Sequence, residues 1–281
     1  MSLRGRVLWM VLGLAVGMAD AEILVHGHRG ARAVLPENTI AGFEYAIEAG
    51  ADVIELDLAV TKDDVPVVSH DPVLPESLCQ GPGGTRVIRE MTLAELKRWD
   101  CGSAPHPGFP RQRPVPGATV PTLDEVLQLG GRGDFRFNIE TKISAEHPQY
   151  TPAPEIFAQL VADAVRKHGL ERRVILQSFD FRTLHAMRGI APGIARAALY
   201  GGGERDFVEV AREAGASIIA PHWELVTPEN VDRAHAANLQ VVPWTANDPA
   251  AWERLVAAGV DEIITDDPAG LIQYLQRTGT E

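Results

Sequence analysis

Residues 173–189 read Arg-Val-Ile-Leu-Gln-Ser-Phe-Asp-Phe-Arg-Thr-Leu-His-Ala-Met-Arg-Gly. A β-branched apolar run at 173–178 gives way at once to a stretch, 180–189, whose apolar positions repeat with a helical period. The same unit recurs on both sides. Downstream, strand patterns at 194–199, 216–220, 239–245 and 261–265 are each followed by a helical one, at 205–214, 228–237, 249–258 and 268–277. Upstream lie strand 23–27 with helix 39–49, strand 52–60, and strand 135–141 with helix 154–168. The short strand 66–69 reads as a hairpin partner, and Thr122 to Leu129 as a helix of the main scaffold. Eight β/α units with short connections predict a closed (β/α)8 TIM barrel, which a chain of 281 residues suits. An open doubly wound sheet is the alternative, but no G-x-G-x-x-G follows the first strand.

Two segments depart from the alternation. Residues 1–21 combine Arg4 and Arg6, an apolar run from Val7 to Met18 and the small-residue end Ala19-Asp20-Ala21, the pattern of a cleavable secretory signal. That run is too short to span a bilayer, so the reading predicts a periplasmic or secreted protein without stable membrane insertion. Residues 22–281 are then one barrel domain, interrupted after the second strand region by a Gly/Pro-rich insertion at about 72–121. The insertion holds a short helix near 92–99 and reads either as a cover that shapes access to the active face or as a passive surface loop. It also carries both cysteines, Cys79 and Cys101, which an oxidising compartment allows to pair.

The formal charge of −12 argues against a nucleic-acid partner. An acidic chain that handles an anion must gather positive groups or a metal locally, and four strand ends do this. The first ends in His28-Arg29-Gly30, the second carries Glu55 and Asp57, the hairpin strand leads to His70-Asp71, and the next ends in Glu140-Thr141-Lys142. The i, i+2 spacing of Glu55 and Asp57 points both to one face of an otherwise apolar strand. Three inward carboxylates repel one another and stay ionised only around a cation. An all-oxygen set without cysteine favours Ca²⁺ or Mg²⁺. His28 and His70 suit proton transfer near neutral pH, and Arg29 and Lys142 suit phosphate oxygens. Together these describe a metal-dependent cleavage of a small-molecule phosphodiester.

The same residues, with Pro36-Glu37-Asn38-Thr39, Gly50-Ala51-Asp52, Gln177-Ser178-Phe179, Trp244-Thr245 and Ile263-Ile264-Thr265-Asp266, resemble the glycerophosphodiester phosphodiesterase signature in order along the chain. The resemblance implies a (β/α)8 barrel that hydrolyses deacylated phospholipids to sn-glycerol 3-phosphate and an alcohol. It implies Glu55, Asp57 and Glu140 as metal ligands, His28 and His70 as the acid–base pair, Arg29 and Lys142 on phosphate, and Trp244 beside the glycerol. It leaves open which histidine is acid and which is base. Alternatives are a lysophospholipase D-like barrel for larger lipids and a non-catalytic phosphodiester receptor. Asp63-Asp64 stands where the family commonly has Asp-Gly, and Glu262 where a Gly is common, at the end of the barrel away from the chemistry. His26, two positions before His28, reads either as a partner of the site or as strand packing. His222 reads as bordering the pocket, and the other histidines as surface residues.

Overall fold

The computed structural model describes residues 22–279, so the signal pattern at 1–21 lies outside the described residues. Eight parallel strands form a nearly closed barrel: β1 (Leu24–Gly27), β2 (Val53–Val60), β4 (Arg136–Thr141), β5 (Val174–Ser178), β6 (Ala195–Tyr200), β7 (Ile218–Pro221), β8 (Gln240–Val241) and β9 (Glu262–Thr265). The hairpin strand β3 (Pro66–Val68) pairs antiparallel with β2. Every residue of β2 is buried, as expected of a parallel strand covered on both faces. The seam between β8 and β9 closes through Asp261 N–H to Val241 O at 3.1 Å and Ile264 N–H to Pro243 O at 3.0 Å.

Helices α1 (Ile40–Glu48), α2 (Leu93–Leu96), α3 (Leu123–Leu127), α4 (Pro154–His168), α5 (Phe181–Ile190), α6 (Phe207–Ala214), α7 (Pro228–Ala236), α8 (Pro249–Ala258) and α9 (Pro268–Thr278) follow in chain order, all but α2 at the positions of the barrel's outer layer. The helix read at Thr122–Leu129 is shorter and tightens into a 3₁₀ turn, Gln128–Arg132. The strand read over 239–245 pairs regularly only at Gln240–Val241, because Pro243 has no N–H to give to a ladder. The chain still follows the wall there, with Val242 N–H to Ile219 O at 2.9 Å and Trp244 N–H to Pro221 O at 3.0 Å.

The bore of the barrel is divided. Ile175, Ala197, Ile218, Val242 and Ile264 form an apolar cluster on one side. The other holds buried polar residues, among them His26, Glu55, Asn138, Gln177 and Glu262. The insertion builds a small core of its own, with Leu74, Ile88, Leu96 and Trp99 packed on Ala59 and Val67 of the barrel strands. A disulfide between Cys79 and Cys101 closes it. The capping box of Thr92 and Glu95 starts its helix α2.

Candidate active site

The site begins in the turn after β1. Arg29 sits in the left-handed region (φ 49°), and Gly30 follows at φ 89°, where an added Cβ would lie 2.7 Å from the backbone carbon of Gly42. A side chain at Gly30 is thus excluded twice, by dihedral and by space. The turn aims the Arg29 N–H at Glu55 Oε2, 2.8 Å away.

Asp57 and Glu140 are register partners across β2 and β4, which puts them side by side at the strand ends. One oxygen each from Glu55, Asp57 and Glu140 lie within 4.8 Å of one another, and all three residues are buried. Burial and the charge of Asp57 push Glu55 well above the usual carboxylate range. Burial raises Glu140 as well, against the pull of Lys142. Burial acts on Asp57 in the same sense, but Lys142 and Arg29 outweigh it and hold that acid low. Two of three buried acids driven toward their protonated forms make a cluster short of positive charge. A divalent cation fits that deficit, and the all-oxygen donor set suits Ca²⁺ or Mg²⁺.

Two cations already touch the cluster. Lys142 Nζ lies 2.8 Å from Glu140 Oε1 and 3.2 Å from Asp57 Oδ1. Arg29 Nε lies 3.1 Å from Asp57 Oδ2, while its NH1 donates to Glu37 Oε1 at 2.7 Å. His28 Nδ1 is 2.6 Å from Asp266 Oδ1, and His28 Nε2 is 4.0 Å from Glu55 Oε2. Burial lowers the His28 pKa and outweighs the opposing pull of Asp266. His70, one-third exposed, meets Asp71 Oδ1 through Nδ1 at 2.9 Å. Trp244 donates from Nε1 to Ala220 O at 2.8 Å and stands edge-to-face between Phe179 (5.4 Å) and His222 (5.2 Å).

The structure brings the sequence candidates together. His28, Arg29, Glu55, His70, Glu140, Lys142 and Trp244 line one cleft of about 230 Å³, and Asp57 is tied to it through Arg29 and Lys142. Of the two readings of His26, strand packing holds: it is fully buried and pairs through Nε2 with Glu262. His222 reaches the site by packing on Trp244. The insertion stands at the flank of the mouth. His106, read as a surface residue, sits 3.4 Å from Glu37 Oε2, while Phe109 lies under the Arg32 guanidinium.

Several contributors escaped the sequence reading. Asp266 and Glu37 belong to quoted motifs but had no role, and Asn38, which donates to Asp57 Oδ2 at 3.0 Å, had none either. Gln177 donates to Glu55 Oε1 at 2.9 Å and accepts from Asn138 at the same distance. The available signal was position: each follows or ends a barrel strand.

Fold and site define a class: an enzyme of the (β/α)8 type whose strand ends hold a carboxylate cluster able to bind a divalent cation. The chain belongs to the glycerophosphoryl diester phosphodiesterase family, whose sequence model matches residues 28–270, and it is accordingly a phosphoric diester hydrolase. It is 36% identical over 258 residues to the glycerophosphodiester phosphodiesterase of Caldanaerobacter subterraneus subsp. tengcongensis, covering 92% of this chain and 100% of that one. A glycerophosphodiester phosphodiesterase of Bacillus subtilis is 32% identical over 263 residues, 89% of this chain and 86% of that one. Among solved structures, a protein of Silicibacter pomeroyi described as a candidate member of the family superposes with a TM-score of 0.86 at 32% identity, over 92% and 95% of the two chains. An Oleispira antarctica phosphodiesterase, solved with the product sn-glycerol-3-phosphate, shares the fold at a TM-score of 0.77 and 23% identity, over 91% and 97%.

Proposed function

We propose that the chain hydrolyses glycerophosphodiesters, the deacylated forms of phospholipids such as glycerophosphocholine, to sn-glycerol 3-phosphate and an alcohol. The observation that carries this reading is the convergence of His28, His70, Arg29 and Lys142 on the cleft that also holds Glu55 and Glu140. Phosphodiester cleavage gathers charge on the non-bridging oxygens and demands a proton at the leaving oxygen. Glu55, Asp57 and Glu140 would hold a divalent ion, Ca²⁺ or Mg²⁺, which supplies charge neutralisation at the phosphoryl group. Arg29 and Lys142 bind its remaining oxygens. His28, kept neutral by burial and oriented through Nδ1 by Asp266, serves as the base. His70, nearer solvent, donates to the leaving alkoxide. Trp244 covers the carbon skeleton of the glycerol.

The working compartment we propose is the periplasm or the cell exterior. The signal pattern at 1–21 supports it, as does the Cys79–Cys101 bond, which persists in an oxidising medium. Among the described residues no helix is long and apolar enough to cross a membrane.

The test is release of sn-glycerol 3-phosphate from glycerophosphocholine by the purified protein, abolished by chelator and restored by Ca²⁺ or Mg²⁺. The variant His70→Ala should lose roughly 10²–10⁴-fold in turnover with an unchanged circular dichroism spectrum. Binding of the diester without turnover in the metal-loaded protein would support a receptor instead.

A further inference from the structure

The active face carries a second cleft, of about 280 Å³, beside the first. The two share His70, Glu140, Lys142 and Phe179, so they meet where the phosphate is proposed to lie. A phosphodiester has two ester arms, and in-line displacement sets the attacking and leaving oxygens on opposite sides of phosphorus. A substrate whose glycerol fills the His28–Trp244 cleft must therefore send its other arm elsewhere, and the second cleft is the continuous path.

The two walls differ in chemistry. The first cleft includes Arg32, Gln177 and Thr245, groups that pair with hydroxyls. Beyond the shared residues and a few Ser and Thr hydroxyls, the second is walled by rings and apolar carbon: Pro72, Ile143, Tyr150 and His147, the last two with ring centroids 5.5 Å apart. Phe179 is 48% exposed, in a protein whose other large apolar side chains, Ile156 apart, are largely covered among the described residues. Its ring stands edge-to-face on Trp244 where the two clefts join, so it presents an aromatic surface to both.

We infer that this second cleft is the subsite for the leaving alcohol, and that it favours a quaternary ammonium alcohol, choline, over a polyol or a primary amine. The inference rests on the hydrolysis proposed above. A trimethylammonium group spreads its charge over methyl surface and donates no hydrogen bond, so aromatic faces replace its water at little cost. A polyol or primary ammonium moved to the same wall gives up more hydrogen bonds to water, and of the hydroxyls there Thr141 is already bonded to Thr183 and Ser144 accepts from the Glu146 N–H. Lys142 in this cleft is already paired with Glu140 at 2.8 Å, and the net charge of −12 favours a cation over a neutral arm. The volume suits a head group and lies at or below the small end of ligand pockets, too little for a long acyl chain.

Tyr150 belongs to the second cleft and not to the first, and it has no part in the proposed proton transfers. The experiment compares kcat/KM for glycerophosphocholine, glycerophosphoethanolamine and glycerophosphoglycerol in wild type, Tyr150→Ala and Tyr150→Phe. It also measures inhibition by sn-glycerol 3-phosphate, which lacks the second arm. Wild type should prefer glycerophosphocholine. Tyr150→Ala should lower that rate constant about ten-fold and largely spare the other two, while Tyr150→Phe keeps the ring and the preference. Inhibition by sn-glycerol 3-phosphate should be the same in all three proteins. Hydrolysis without head-group preference, or an equal loss on all three substrates in Tyr150→Ala, overturns the subsite and leaves the hydrolysis standing. Failure of wild type to release sn-glycerol 3-phosphate from any of them overturns both.

Discussion

His28 Nδ1 and Asp266 Oδ1 lie 2.6 Å apart although 238 positions separate them in the chain. The first and last strands are neighbours in the barrel, with Gly27 opposite Thr265, so the residues just beyond each strand end face one another. Asp266 is itself held by Asn247 Nδ2 at 2.7 Å. A carboxylate that accepts a hydrogen bond from Nδ1–H holds the tautomer whose lone pair is on Nε2, the nitrogen nearer Glu55.

Asp266→Asn keeps the shape and removes the charge, so it should free the imidazole to adopt the wrong tautomer. Turnover is expected to fall by roughly 10²–10⁴-fold with KM little changed. Asp266 works to raise the His28 pKa against burial, so its loss should lower that pKa further and move the acid limb of the pH–rate profile to lower pH. A role confined to packing would reduce the folded fraction and leave the limb in place.

This pair also shows what the sequence could and could not disclose. Strand and helix periods made the barrel legible: α4 and α8 have the bounds that their periodicity and flanking Pro and Gly predict. Glu55 and Asp57 were legible because carboxylates at i, i+2 conflict with an apolar strand, a conflict that marks a site. Asp266 and His106 lie in loops without a period, and their partners, His28 and Glu37, come from elements far away in the chain. The length of β8 was overread because an apolar run says nothing of the donor that Pro243 lacks. The insertion's proline-rich sequence hid a packed core, whose contacts depend on barrel residues Ala59 and Val67.

Glu262, at the end of the bore opposite the site, is the next measurable point. Its carboxylate pairs with His26 and accepts from Arg136 NH2 at 2.7 Å. Burial acts to raise its pKa, but His26 and Arg136 overcome that and hold it at about 2. Because the folded value lies below the unfolded one, the stabilisation is complete above an ordinary carboxylate pKa and is lost as pH falls toward 2. Wild type should lose on the order of 3 kcal/mol from this group between about pH 5 and pH 2. Glu262→Gln should be less stable than wild type by about 3 kcal/mol at pH 7, and the difference should shrink as pH falls through that window. Urea denaturation at several pH values measures both, and a difference independent of pH would remove Glu262 from the acid response.

The Cys79–Cys101 bond joins residues 22 positions apart within the insertion, in a small core that also takes in Ala59 and Val67 of the barrel strands. Closing a loop of that length removes unfolded-state entropy worth about 3 kcal/mol. The barrel has its own much larger core, so the bond should stabilise the insertion first and the whole chain second. In Cys79→Ser/Cys101→Ser, limited proteolysis should cut within 72–121 while the barrel fragments stay associated. The loss should reach the active site through His106, which lies five residues beyond Cys101 and contacts Glu37, which holds Arg29. A looser Glu37 frees the Arg29 guanidinium, so KM should rise more than kcat falls. Unchanged protease sensitivity in the double variant would show that packing around Trp99 and Leu96 holds the insertion without the covalent link.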